Sequence, residues 1–279
     1  MLKYCSKKNL ISDKTITLPD FDFLVKVARR ANMAYFNQDE INKLWENKDS
    51  IFINAIEKPI YITKNEASAY LWIENTTIDT NDDKFANIIF RGTNSIQDVI
   101  DDLDTCLISV ENKDGKIKVH EGFYRQFMSI EPQITKLIQD KNITSLQIFA
   151  HSLGAGIGQI AAAFYGERNI EVSIYTIGCP RTGNDKFVKW FTKNVKNNMR
   201  IVNQYDPVPT IPIWPTWVHT NDGFEIKNNK FISCPKEKRG IIRWLRPLTT
   251  LTTNINYEAP IKGHACVDYI ANLSKLIQK

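Results

Sequence analysis

The residues "AHSLG", Ala150 to Gly154, set one hydroxyl between small residues where the apolar run "LQIFA" breaks and resumes as an alanine- and glycine-rich segment. This is the small-x-Ser-x-Gly spacing of a strand that turns sharply into a helix and lifts a serine Oγ above the C-terminal edge of a sheet. A serine hydroxyl is a weak nucleophile. To attack a carbonyl it needs a base, the base needs an orienting carboxylate, and the oxyanion that forms needs hydrogen-bond donors. The chemistry to look for is therefore acyl transfer through a covalent ester on Ser152.

The candidates are few, because the chain holds only four histidines. On an elbow of this kind the order along the chain is serine, acid, histidine. His120 comes too early and opens a helix, and His151, beside the serine, projects away from it and suits packing or capping. His219 and His264 follow the serine. His219 lies in the Trp-rich "PTWVHTNDG", whereas His264 follows a glycine at the mouth of the last helix, a placement that can return it to the sheet edge. His264 is the favoured base. Asp206 ends the strand-like "RIVNQY" and is followed by rigidifying prolines, which makes it the favoured acid. Asp185 is better explained as a first-turn helix residue, and Asp268 as a surface residue of the last helix. The oxyanion donors expected are the N–H of Leu153, directly after the nucleophile, and Thr93, after the strand "IIFRG". One such donor typically lowers a barrier by about 3–4 kcal/mol. Trp214 and Trp217 either wall an acyl groove or pack in the core.

These residues must be held by an ordered set of elements. Leu24, Val27, Ala28, Ala31 and Tyr35 recur at helical spacing after a Pro-Asp start. "PIYITK", "AYLWIEN" and "FANIIFRG" read as early strands and antiparallel neighbours. After the polar turn "ENKDGK" comes a helix marked by Phe123, Phe127, Ile130, Ile134, Leu137 and Ile138, with Pro132 as a kink or division point. From "LQIFA" to "RIVNQY", strands and helices alternate, and "HACVDYIANLSKLIQ" closes the chain as a helix. Such alternation calls for a mostly parallel central sheet with helices on both faces.

Composition sets the limits. The chain has 279 residues, 43% of them hydrophobic, with no linker, repeat or low-complexity tract, so one domain is expected over residues 1–279. The 36 Lys and Arg are interspersed with 31 Asp and Glu, which argues against a nucleic-acid partner. One basic cluster, Lys236, Lys238, Arg239, Arg243 and Arg246 around Trp244, fits either a solvated loop or contact with anionic lipid. Five scattered cysteines form neither a disulfide framework nor a metal motif. The start shows no apolar signal region and no run has membrane-spanning length, so a cytoplasmic location is expected.

The segments "IIFRGTNSIQDVIDDLD", "VHEGFYRQF", "IFAHSLGAG", "YTIGCPRTGN", "NQYDPVPTIP", "VHTNDGFEI" and "GHACVDYI" occur in an order that resembles the class 3 lipases, the fungal triacylglycerol lipase-like family. The resemblance runs from about Asp22 to Ile270. It implies an α/β-hydrolase fold, Ser152 as nucleophile, Asp206 as acid, His264 as base, and Thr93 with Leu153 as the oxyanion hole. It further implies lipid acyl esters as substrates, met at a membrane or droplet surface, and no metal or organic cofactor. "SIQDVIDDL" falls where the family carries an amphipathic lid. Here that segment holds Asp98, Asp101 and Asp102, with Asp104 directly after it, and few large apolar residues, which argues against strong interfacial activation. Ala150 and Ala155 stand where the family usually has glycine. Two rival readings share the site: a phospholipase or acyltransferase with the same three residues, and a lipid-binding protein that has lost catalysis.

Overall fold

The most apolar strands lie where both sheet faces are covered. The computed structural model describes residues 20–75, 84–92, 107–212, 216–234 and 263–277. Along the chain the strands are β1 (Ile60–Lys64), β2 (Ala67–Asn75), β3 (Lys84–Phe90), β4 (Leu107–Asn112), β5 (Gly115–His120), β6 (Ser145–His151), β7 (Glu171–Ile177), β8 (Asn197–Asn203), β9 (Gly223–Lys227) and β10 (Lys230–Cys234). Eight of them form one sheet in the order β1-β2-β3-β6-β7-β8-β9-β10, while β4 and β5 pair apart as a hairpin. Pairing is antiparallel from β1 to β3, parallel from β3 through β9, and antiparallel again at β10. In the centre, Phe90 pairs with Ala150, Ala150 with Thr176 and Thr176 with Arg200, so the strands that carry the site end in register.

Among the described residues, six α-helices cover the two faces: α1 (Phe21–Asn32), α2 (Gln38–Glu46), α3 (Glu121–Asp140), α4 (Ser152–Gly166), α5 (Asp185–Asn194) and α6 (Cys266–Ile277). On one face Phe123 and Phe127 of α3, Ile157 and Ile160 of α4, and Phe187 of α5 pack on Ile148 and Ile174 of the sheet. On the other, Leu24 and Val27 of α1 and Tyr269 and Leu273 of α6 pack with Trp72, Phe149 and Ile201. Within α4, Ala161 to Ala163 are fully buried, as the small-residue run anticipates for a helix pressed on a sheet.

The ends of α1 and α2 are encoded locally. Asp20 accepts from the N–H of Asp22 at 3.0 Å to start α1. Asn37 and Glu40 form a reciprocal capping box at the start of α2. Helix α1 is anchored to the sheet by buried Arg30, which donates to Glu74 at 2.6 Å and Asn87 at 2.9 Å. The guanidinium also lies 5.3 Å from the ring centre of Trp72 and 4.9 Å from that of Phe149.

Several features differ from the sequence reading or add to it. Helix α3 runs unbroken through Pro132. The "ENKDGK" turn is the tip of the β4–β5 hairpin, with Gly115 at φ 112°, a conformation that favours glycine. A second hairpin, β9–β10, turns through Asn228 and Asn229 at φ 49° and 54°. That is the paired left-handed geometry that suits the twist of antiparallel strands. Thr93, the acidic segment 95–103, Trp214 and the basic cluster around Trp244 lie outside the described residues.

Candidate active site

Strand β6 delivers Ser152 at its C-terminal end, where the chain turns at once into α4. Ser152 has φ 56°, a left-handed conformation that a non-glycine residue adopts only when its surroundings enforce it. The enforcement is visible. A Cβ on Gly154 would overlap the carbonyl oxygen of Phe90, and one on Gly92 would come 3.2 Å from the Gly154 nitrogen. The end of β3 therefore presses directly on the elbow, and only glycine allows that approach. Ala150 is fully buried, and its Cβ lies 3.4 Å from where a Cβ on Gly158 would sit. Alanine is thus accommodated at this position because a glycine faces it from α4.

From the elbow a single line of hydrogen bonds runs inward. Ser152 Oγ lies 2.8 Å from His264 Nε2. His264 Nδ1 lies 2.9 Å from each carboxylate oxygen of Asp206. All three side chains are buried. Asp206 follows the end of β8 and accepts two further bonds, from the N–H of Val208 at 2.9 Å and the hydroxyl of Tyr269 at 2.6 Å. That hydroxyl in turn accepts from the N–H of Asn203 at 2.9 Å. Burial, and then the neighbouring Asp206 charge, push the Tyr269 hydroxyl well above its ordinary range, so it remains a donor. Gly178, at φ 58°, closes the back of the site. A Cβ there would meet Asp206 Oδ2 at 2.8 Å and the His264 ring at 3.1 Å.

This geometry allows a defined sequence of proton movements. An imidazole that donates through Nδ1 to a buried carboxylate has its lone pair on Nε2, facing the serine proton. Leu153 is the second residue of α4, where the N–H groups of a helix lack intrahelical partners and carry the positive end of its dipole. Of the residues singled out from sequence, Ser152, Asp206 and His264 are brought together and Leu153 adjoins them, while Thr93 falls just beyond described Gly92. His219 is elsewhere, its Nε2 donating to the carbonyl of Pro209 at 2.8 Å. Trp217 is buried 5.6 Å from His120, which caps α3 and stacks on Phe123. Asp185 sits in the first turn of α5. Among the described residues no cluster of His, Cys, Asp or Glu is arranged to hold a metal.

Tyr269, Gly178 and Tyr35 were not legible as parts of the site. Tyr269 shares its motif with His264, five residues on in "HACVDY", but only the fold shows that this offset points the hydroxyl at Asp206.

A mostly parallel sheet with helices on both faces and a serine elbow at its C-terminal edge defines the α/β-hydrolase fold. The fold is shared with the lipase in the Rhizomucor miehei lipase–propeptide complex at a TM-score of 0.64, with 19% identity, covering 88% of this chain and 80% of that one. Residues 87–216, a little under half of the chain, match the family model for class 3 lipases. Over 139 residues it is 31% identical to the Rhizomucor miehei lipase, covering 47% of this chain and 38% of that protein. Over 98 residues it is 29% identical to secreted mono- and diacylglycerol lipase 1 of Fusarium solani, covering 34% and 29%. The alignments thus span about a third of the length of these curated relatives.

The relatives correct the expected cytoplasmic location, because named homologues are secreted lipases and point outside the cell. The expectation rested on a missing apolar run, and an absence carries no positive information about compartment. The described cysteines, Cys179, Cys234 and Cys266, are buried, and burial pushes the Cys179 thiol up to about 12. Thiols held protonated in this way react little in any compartment.

Proposed function

We propose that the chain is a serine ester hydrolase that cleaves lipid acyl esters, working outside the cell, with its site in one domain whose core spans about residues 22–270. The observation that carries this reading is the unbroken line from Ser152 Oγ through His264 to Asp206, set on a strained elbow. In the reaction, His264 Nε2 takes the Ser152 proton as Oγ bonds to the ester carbonyl carbon. The oxyanion then faces the N–H of Leu153 and the start of α4, with Thr93 as the second donor. Collapse breaks the bond to the alcohol oxygen, which leaves with the proton from His264. Water, losing a proton to the same nitrogen, then releases the fatty acid and restores Ser152. Asp206 holds the imidazole in the required tautomer and stabilises its charged form.

The substrate class is a glycerolipid ester met at a membrane or droplet surface. Product analysis with triacylglycerol, phospholipid and an added alcohol separates hydrolysis of each lipid from acyl transfer, since the same triad serves all three. The deciding test compares wild type with S152A, using a fluorophosphonate probe, peptide mapping and turnover of a short-chain ester. Label on Ser152 together with a loss of turnover on the order of 10⁴-fold or more in S152A is expected. Folded wild type that binds lipid yet takes no label and turns over no ester overturns the hydrolase reading and leaves lipid binding.

A further inference from the structure

The residue before the nucleophile is also a histidine, and both of its ring nitrogens are engaged. His151 Nε2 lies 2.7 Å from the carbonyl oxygen of His264, and His151 Nδ1 lies 2.6 Å from the hydroxyl of Tyr35. A carbonyl can only accept, so Nε2 carries the proton and Nδ1 is left as an acceptor. Tyr35 must then donate. Donation runs in one direction, from Tyr35 through His151 to the main chain of His264, and it requires a neutral imidazole.

We propose that His151 and Tyr35 are a positioning pair for His264, fixing the main chain of the base as Asp206 fixes its ring. The inference rests on the hydrolase reading above. Two consecutive residues at the end of β6 hold His264 at two points. Ser152 meets its ring at 2.8 Å and His151 meets its carbonyl at 2.7 Å. The separation of nucleophile and base is thereby tied to the covalent geometry of one strand end. Tyr35 extends the tie to the turn after α1, where its hydroxyl lies 3.1 Å from the place a Cβ on Gly92 would occupy. It thus reaches the end of β3, one residue before Thr93.

The charge state matters as much as the placement. The rings of His151 and His264 are 4.5 Å apart. When His264 takes the serine proton it becomes a cation, and a neutral neighbour leaves that cation unopposed. Burial first, and then His264 itself, hold His151 well below the ordinary histidine range, while burial holds the Tyr35 hydroxyl well above its own. Neither residue touches the reacting atoms, so their effect on rate passes entirely through His264.

The test uses the full chain with H151A, H151Q, Y35F and S152A, measuring kcat and KM on a soluble short-chain ester, the rate of fluorophosphonate labelling, and Tm. A misplacement of the base by about 1 Å costs on the order of 10²-fold in rate. H151A is therefore expected to lose roughly 10²-fold in kcat and in labelling rate, with KM within about threefold. H151Q, whose amide can still donate to the carbonyl, recovers roughly tenfold of that loss, and Y35F loses roughly tenfold. Folded H151A and Y35F with near-wild-type kcat and labelling overturn the proposal. So does an equal loss in H151A and H151Q that follows their Tm. If H151A does not fold, H151Q and Y35F decide alone. Labelling that survives in S152A instead overturns the hydrolase reading, and the positioning role falls with it.

Discussion

At the scale of single residues, the site depends on how each polar group is satisfied once buried. Asp206 meets three kinds of donor: the His264 ring, the Val208 N–H and the Tyr269 hydroxyl. Hydrogen bonds to a charged group contribute about 1.5–3 kcal/mol each, and removing one partner leaves the other to be desolvated without return. Tyr269→Phe should therefore lower kcat roughly tenfold with little change in KM, and should also lower Tm, because the N–H of Asn203 loses its acceptor. Steady-state kinetics and a thermal melt check both parts. A Y269F protein with unchanged kcat would mean that Val208 and His264 suffice to hold the carboxylate.

At the scale of elements, the decisive piece is the junction of β6 and α4. The strand places Ser152 at the sheet edge, and the helix begins with that residue in a left-handed conformation. The cost of the conformation is offset by packing that glycines permit at Gly92 and Gly154, where β3 and the elbow meet. Gly154→Ala drives a methyl into the Phe90 carbonyl, a backbone atom that cannot swing away. We expect it to displace the elbow, cutting kcat by about 10²-fold and destabilising the fold by about 1–3 kcal/mol, read from kinetics and chemical denaturation. A G154A protein with full activity would show that the strand and elbow have room to separate. Hairpins β4–β5 and β9–β10 and helix α2 carried local signals too: Asp114-Gly115, Asn228-Asn229, and the Asn37-x-x-Glu40 box. Those signals are short, and only the pairing or packing around them distinguishes a hairpin or a helix from an ordinary polar loop.

At the scale of the whole molecule, a buried neutral histidine links the site to stability. The native pKa of His151 lies well below the 6.5 of a free histidine, so above that pH both folded and unfolded forms are neutral there. Below it the unfolded chain binds a proton that the native chain refuses, and stability falls as pH drops from about 6.5 toward the lower native pKa. Melting curves should show a loss of Tm on acidification through this window, with a shallower slope in H151Q. Equal slopes would place the acid sensitivity elsewhere. How far the molecule could be read in advance follows from the range of its interactions. Ser152, Asp206 and His264 stand out in the sequence as a candidate group because an elbow needs small neighbours and the order serine, acid, histidine leaves few choices, and the fold brings the three side chains within hydrogen-bond distance. The alternating strands and helices were equally plain, since periodicity is local. Only the tertiary structure decided that Tyr269 donates to Asp206, that Gly178 must be bare, and that His151 reaches the His264 carbonyl 113 residues away. Those are contacts between groups distant along the chain, and residue spacing carries no record of which side chains a folded sheet brings face to face.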